Sequence, residues 1–322
     1  MRRNAGLKAL LTFPVVALAA VALVALPAFG QTTTGQVRGT VTDSQGPVPG
    51  VTVTAVNTAS GAKSSAAVAV NGTYVLVVPA GRYEVAVTTG AHEQWKRVIQ
   101  VGVGQSLTQD IALKPGKLAA EISVVATSAE AQVERITSEI GTNVGTDQLQ
   151  MLPQSSRNFL NAAVIAPGVR ISRDEERQEF SYGAQRSMNT NVFIDGTSYK
   201  NDILQGGSVG QDSSKGNPFP QNAVQEFKVI TQNFKAEYQK ASSAVITAVT
   251  KSGGNDLHGE VFAYYQNKNL VAIDGVTQRK ADQGGYEAVK PEYTRWQPGL
   301  SLGGPIVKDK VHFFAAYEGN AQ

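Results

Sequence analysis

The sequence predicts a mainly β protein in three parts: a small Greek-key β-sandwich, a mixed α+β segment, and the first strands of a transmembrane β-barrel. Three observations carry this prediction. From Gly35 to Leu113, short alternating apolar and polar runs recur between turn residues, at roughly the 8–12-residue spacing of a sandwich. Residues 138–255 combine one short helix-type segment with several apolar runs. From His258 onward the strands alternate and carry aromatic residues at their ends, as a wall with lipid on one face requires.

The first thirty residues stand apart. Arg2, Arg3 and Lys8 precede or begin an apolar run from Ala9 to Leu26, and Ala28-Phe29-Gly30 places small residues at −3 and −1 before Gln31. This is the pattern of an export signal over residues 1–30, cleaved between Gly30 and Gln31. The run also approaches the length of a membrane anchor, but Pro14 and the small-residue exit favour cleavage.

The same three cations account for the net charge of +3. The chain has 29 Lys and Arg against 26 Asp and Glu, so beyond Gln31 it is neutral. Nucleic-acid binding is excluded as a reading, because it requires a basic surface. Cysteine is absent, which excludes disulfides, thiolate metal sites, a cysteine nucleophile and a lipid-modified cysteine.

In the sandwich, Val37, Gly39 and Val41 alternate with polar partners before an Asp43–Pro47 turn, and Val51, Val53 and Ala55 alternate again. Further strands are predicted at Lys63–Val70, Tyr74–Val78, Arg82–Thr88, Lys96–Val103 and Ser106–Leu113. Asn71-Gly72 and Ala80-Gly81 supply tight turns, after which Tyr74 and Tyr83 enter strands and fill the core. Gly39–Asp43, Pro49–Val53, Asn71–Tyr74 and Pro79–Tyr83 resemble the carboxypeptidase regulatory-like domain over residues 31–115. That resemblance implies a transthyretin-like sandwich, related to carbohydrate-binding ones. A glycan-binding role would need an exposed aromatic platform, for which His92 and Trp95 are the nearest candidates. The alternative is a structural spacer with Trp95 half-buried at a strand start.

Residues 116–137 form a linker opening with Lys114-Pro115-Gly116-Lys117. Beyond it, Gln148–Leu152 makes one or two helical turns that Pro153 ends. Arg157-Asn158-Phe159, Ala166–Val169, Gly183–Arg186 and Asn191–Gly196 follow, the last a strand running into an Asp-Gly turn. Val224–Val229, Asn233–Tyr238, Ala244–Val249 and Thr250-Lys251-Ser252-Gly253-Gly254-Asn255 complete the set before His258-Gly259. In this order the motifs resemble the plug domain of TonB-dependent receptors of the Oar-like type, which have an N-terminal carboxypeptidase regulatory-like domain. The plug spans residues 138–255. Ala241-Ser242-Ser243-Ala244 departs from the family, which more often has glycines there.

The resemblance implies an outer-membrane receptor and transporter that takes up an extracellular ligand by rearranging its plug. It implies a TonB-type periplasmic energy coupler and outer-membrane lipid as partners. Within the linker, Glu121, Ile122, Ser123, Val124, Val125 and Ala126 resemble a TonB box, which would add to a sheet edge of the coupler through main-chain hydrogen bonds. Loops near Arg186–Asn191 and Tyr199–Pro220 are the expected ligand contacts. The ligand class, whether carbohydrate, peptide, siderophore or vitamin, is left open.

Residues 256–322 read as the start of a barrel: His258–Gln266, Pro298–Gly304 and Val311–Glu318 alternate, with a polar hairpin turn at Ile306–Lys310. A plugged barrel needs about 22 strands, and lipid tolerates no open sheet edge, so the sequence is expected to be a truncated transporter.

No enzyme is expected. His92, His258 and His312 lack metal-ligand spacing; the Gly-x-Ser-x-Gly pattern at Gly206–Gly210 follows no clear strand and so makes no nucleophile elbow, and there is no phosphate loop. No cofactor is implied. Gly206–Gly210 lacks the lysine of a phosphate loop, and Arg173–Arg177 reads as a solvated mixed-charge run. The rival function is a surface or periplasmic carbohydrate-binding or adhesion protein that uses the sandwich; it needs none of the plug motifs.

Overall fold

The computed structural model describes residues 33–116, 137–152, 157–171, 180–200, 219–273, 275–284, 290 and 292–321. The export segment with its Gly30–Gln31 junction, the Glu121–Ala126 segment, the Arg173–Arg177 run and Gly206–Gly210 lie outside the described residues.

The sandwich comprises β1 (Thr34–Asp43), β2 (Gly46–Pro47), β3 (Thr52–Asn57), β4 (Lys63–Ala67), β5 (Thr73–Pro79), β6 (Gly81–Val87), β7 (Trp95–Val101), β8 (Ser106–Thr108) and β9 (Ile111–Ala112). β1 pairs antiparallel with β2 and β5 and parallel with β8 and β9. The second sheet runs β4-β3-β6-β7, antiparallel throughout. Alternation sends Val37, Val41, Val53, Val78, Val85 and Ile111 into one fully covered core. Tyr74 and Tyr83 are buried there as predicted, the Tyr83 hydroxyl donating to the Pro79 carbonyl at 3.0 Å.

Two predicted strands are shorter than expected. Lys63–Val70 ends at Ala67, and Val70 is left exposed. Ser106–Leu113 is interrupted at Gln109-Asp110. The chain presses so closely on β1 there that a Cβ at Gly39 would lie 2.0 Å from the Gln109 carbonyl oxygen. That carbonyl accepts from the Tyr74 hydroxyl at 2.7 Å. The Asp110 carboxylate in turn accepts from the Thr40 amide at 2.8 Å and its hydroxyl at 2.9 Å. Side-chain bonds replace the ladder at the break.

The plug contains β10 (Ile140–Gly145), a helix at Thr146–Met151, a 3-10 helix at Phe159–Ile165, β11 (Val169–Ile171), β12 (Phe180–Tyr182), β13 (Asn191–Ile194), β14 (Thr197–Ser198), β15 (Val224–Gln232) and β16 (Val245–Thr250). Five strands form a sheet in the order β10-β15-β16-β13-β14, in which β13 and β16 are parallel. Its inner strands β13, β15 and β16 are mostly buried because both faces are covered. Phe227, Val229 and Ile246 pack with Phe159 and Leu160 on one face, and Ile230 and Val245 pack with Phe193 and Tyr238 on the other. The expected turn after β13 forms at Asp195-Gly196, with φ of 48° and 79°. The Asp195 carboxylate fixes it by accepting from the Thr250 amide and hydroxyl.

A third sheet, β17 (His258–Asn267), β18 (Thr294–Val307) and β19 (Val311–Glu318), forms two antiparallel hairpins and does not close. A helix at Gly275–Asp282, not foreseen in the sequence, lies between β17 and β18 with no buried residue.

The sandwich rests on the plug through the turn after β7 and through Ala80, between β5 and β6. The Val103 amide donates to the Glu226 carboxylate, the Lys228 ammonium donates to the Gly104 carbonyl at 3.5 Å, and the Gln225 amide donates to the Ala80 carbonyl at 3.3 Å. Lys228 also pairs with Glu139 at 3.1 Å, with both side chains almost fully covered. Burial pushes the Glu226 carboxyl above its ordinary value of 4.5, with the Val103 bond opposing.

A raised carboxyl binds its proton more tightly in the folded chain than in the unfolded one. The stability it contributes is therefore fully present below pH 4.5 and is lost as pH rises through the higher value of the folded state. Glu226→Gln should remove this dependence. The measurement is the melting temperature of parent and variant across about pH 4 to 8: the difference between them should change with pH, and a constant difference would refute the assignment.

Candidate transport site between plug and barrel wall

The site begins with the sidedness of β18. Arg295, Gln297 and Ser301 are buried beneath the plug, whereas Trp296, Leu300 and Leu302 on the opposite face are exposed. The register extends this division across the sheet. Val261 and Tyr265 of β17 lie opposite Leu300 and Trp296, and Tyr317 and Ala315 of β19 lie opposite Leu300 and Leu302. One face is apolar, with the Tyr265 and Trp296 rings 6.1 Å apart at its edge. The other carries Glu260, Tyr264, Gln266, Arg295, Gln297 and Glu318. This is a barrel wall seen from both sides, lipid-facing and lumen-facing.

The plug meets the lumen face through Arg157. Asn158 caps the following 3-10 helix, its side chain accepting from the Leu160 amide at 3.1 Å, and so fixes where Arg157 emerges. The Arg157 Nε donates to Glu318 at 2.9 Å, and the pair is largely covered. The guanidinium lies 3.9 Å from the centre of the Phe262 ring and 5.3 Å from that of Tyr264, close enough for cation–π attraction. A second link is the Asn222 side chain, which donates to the Leu300 carbonyl at 3.1 Å.

A third lies at the end of the Thr250–Asn255 motif. A Cβ at Gly253 would lie 2.1 Å from the Phe313 carbonyl oxygen, so only glycine permits this approach. Asn255 then joins three parts of the chain. Its amide donates to the Ala59 carbonyl of the sandwich. Its side-chain oxygen accepts from the Asp309 amide and lies 2.9 Å from the His312 ring nitrogen. Its side-chain nitrogen donates to Asp309 at 2.7 Å.

Between these links lies a cavity of about 410 Å³, to which Leu149, Arg157, Asn222, Lys251, Glu260 and Tyr264 contribute. Burial lowers the pKa of the Lys251 ammonium, Glu260 opposes this, and the charge of Arg157 adds to it. The space is polar and lies along the seam between plug and wall.

The residues predicted from sequence fall elsewhere. Trp95 begins β7 and packs, half-buried, against the sandwich core. His92 is 3.1 Å from the Asp43 carboxylate and 3.0 Å from the Thr89 hydroxyl, so the two do not present an open aromatic face. In the expected ligand loops, Asn191 is buried and donates to the Gln239 carbonyl, and Tyr199 packs against the plug core. Residues 201–218 and the Glu121–Ala126 segment lie outside the described residues. Among the described residues no cluster of metal-ligating side chains occurs.

Sequence reasoning picked out Arg157-Asn158-Phe159 and Thr250–Asn255 as motifs without assigning them these contacts. Lys251 lies within the second motif and Glu318 on the alternating last wall strand, and the local pattern gave neither a partner.

Comparison with known proteins agrees with this architecture. Residues 36–114 match the carboxypeptidase regulatory-like domain and residues 249–322 match an outer membrane beta barrel domain. The chain is therefore an outer-membrane protein with a regulatory-like sandwich ahead of its barrel strands. The TonB-dependent transporter Oar of Myxococcus xanthus is 28% identical over 319 residues, covering 94% of this chain and 28% of that protein. The chain is thus similar to a TonB-dependent transporter along most of its own length, with the two domain matches lying towards its two ends. It spans about 28% of the length of that relative.

Among solved structures, the siderophore receptor PirA of Acinetobacter baumannii is similar at 18% identity and a TM-score of 0.39, over 56% of this chain and 24% of that one. The ferric enterobactin receptor PfeA of Pseudomonas aeruginosa is similar at 18% identity and a TM-score of 0.36, over 52% and 23%.

Arg157→Ala would leave the Glu318 carboxylate buried without its guanidinium partner. Breaking such a pair costs about 3–5 kcal/mol. A double-mutant cycle with Glu318→Ala, read by thermal unfolding of the receptor, should show strong coupling. Additive effects would mean that the contact does not fasten plug to wall.

Proposed function

We propose that this protein serves energy-coupled uptake of an extracellular ligand across the outer membrane by rearrangement of its plug. The observation that carries the reading is the Arg157–Glu318 contact, which fixes the plug against the polar face of a wall whose other face is apolar. A plug so placed closes the lumen, and covered ion pairs and single hydrogen bonds can be exchanged as it moves. Ligand contact at the outer ends of plug and barrel shifts the plug between conformations for which the ligand has different affinity. The Glu121–Ala126 segment then offers its backbone to a TonB-type periplasmic energy coupler. In this reading the sandwich is a docked periplasmic module rather than a glycan receptor, in keeping with the packing of Trp95 and the engagement of His92.

The absence of cysteine makes a direct test simple. In the full receptor, Val124→Cys should form a disulfide with a cysteine introduced into the edge strand of the coupler's C-terminal domain. Cysteines scanned over residues 117–120 and 127–136 should react less. Uniform absence of cross-linking along the linker, with a coupler that supports another receptor in the same cells, would refute the coupling step.

A further inference from the structure

The turn that docks the sandwich lies across two plug strands at once. Val103 and Gly104 engage Glu226 and Lys228 of β15. Gly102 meets the neighbouring strand: a Cβ there would lie 2.9 Å from the Asn143 side-chain nitrogen of β10 and 3.5 Å from the Glu226 carboxylate. The Gly102 amide is held by Gln105 at 2.8 Å, which fixes the turn. Among the described residues β10 is the edge strand of the plug sheet, paired only with β15. It is also the first plug element after the linker, and Glu139 at its entrance is tied to Lys228. The sandwich therefore covers the seam between β10 and β15, the first seam that tension on the linker would reach.

From this placement we propose that the sandwich is a lock on the plug: while docked it keeps β10 on β15, and it must leave before β10 can be drawn away. The proposal rests on the energy-coupled reading for its purpose, but the contact itself does not depend on it. The Gly102–Gly104 turn acts as a bar across the two strands. Removing one of its anchors loosens β10, and joining it covalently to β10 prevents release. Because the same chain continues from the sandwich through the linker to β10, tension on the linker acts on both sides of the lock. The sandwich is drawn off as the strand is loaded.

Hydrogen exchange of the full receptor in detergent tests this without ligand or coupler. Glu226→Ala should speed exchange of the β10 amides Thr142–Val144 about 10-fold or more and leave β16 unchanged. Gly102→Cys combined with Asn143→Cys, at positions whose side chains meet across the turn, should slow the same amides when cross-linked by oxidation and release them on reduction. Force applied through a handle at Val124→Cys should extract β10 at lower load in Glu226→Ala and at higher load in the oxidised double variant. Equal β10 exchange and equal extraction force in all forms would overturn the lock. Failure of coupler cross-linking at residues 121–126, with these shifts intact, would instead count against the transport reading and leave the lock standing.

Discussion

A strand covered on both faces cannot choose which side of the sheet to serve, and β15 is under that constraint. Phe227 and Val229 face the larger plug core, while Ile230 faces the smaller one beside Phe193 and Tyr238. The charged residues it retains, Glu226 and Lys228, must then find partners under cover, because desolvated charge is costly alone. They find them in the backbone of the sandwich turn and in Glu139. The position of the sandwich, the anchoring of β10 and the raised pKa of Glu226 all follow from how this one strand satisfies its polar groups.

The opposite problem is solved at the wall. Strands β17–β19 expose apolar side chains outward and turn polar ones inward, so the plug surface that meets them must itself be hydrogen-bonding. Arg157 and Asn222 supply this contact, one to a carboxylate and two rings, the other to a main-chain carbonyl. Glycine has a separate part. At Gly253 the missing side chain lets the plug exit run against β19, and Asn255 then caps the β18–β19 turn while holding the sandwich at Ala59. Three parts of the chain converge on that asparagine.

Local pattern was legible in the sequence; long-range chemistry was not. Alternation placed most sandwich strands and all three wall strands, and the Asp195-Gly196 turn followed from residue type. The break at Gln109-Asp110 was hidden because it depends on Gly39, about seventy residues earlier and visible only once β1 lies beside it. The Gly275–Asp282 helix was missed because it buries nothing and so carries no apolar period. Arg157 was recognised as part of a motif, yet its partner Glu318 lies 161 residues away, and no local rule links them. Val103 and Glu226, 123 residues apart, are the same case. At His92 and Trp95 the residue types suit both sugar contact and a spacer with Trp95 half-buried, and the local pattern carries neither the Asp43 contact of His92 nor the core packing of Trp95.

The two-sided character of β18 also bears on how the wall reaches its register. Each residue along it is assigned to lipid or lumen by parity, so a slip of one position would turn Trp296, Leu300 and Leu302 inward and Arg295, Gln297 and Ser301 outward together. Such a hairpin would be wrong at every rung, with polar groups facing hydrocarbon and no partner for Arg157. The irregularity between Pro305 and Val307 confines any adjustment to the turn end, away from the rungs that carry this information. The strand thus carries its own error check: misalignment is penalised over its whole length, and correct pairing alone lets the plug contacts of Arg157 and Asn222 form.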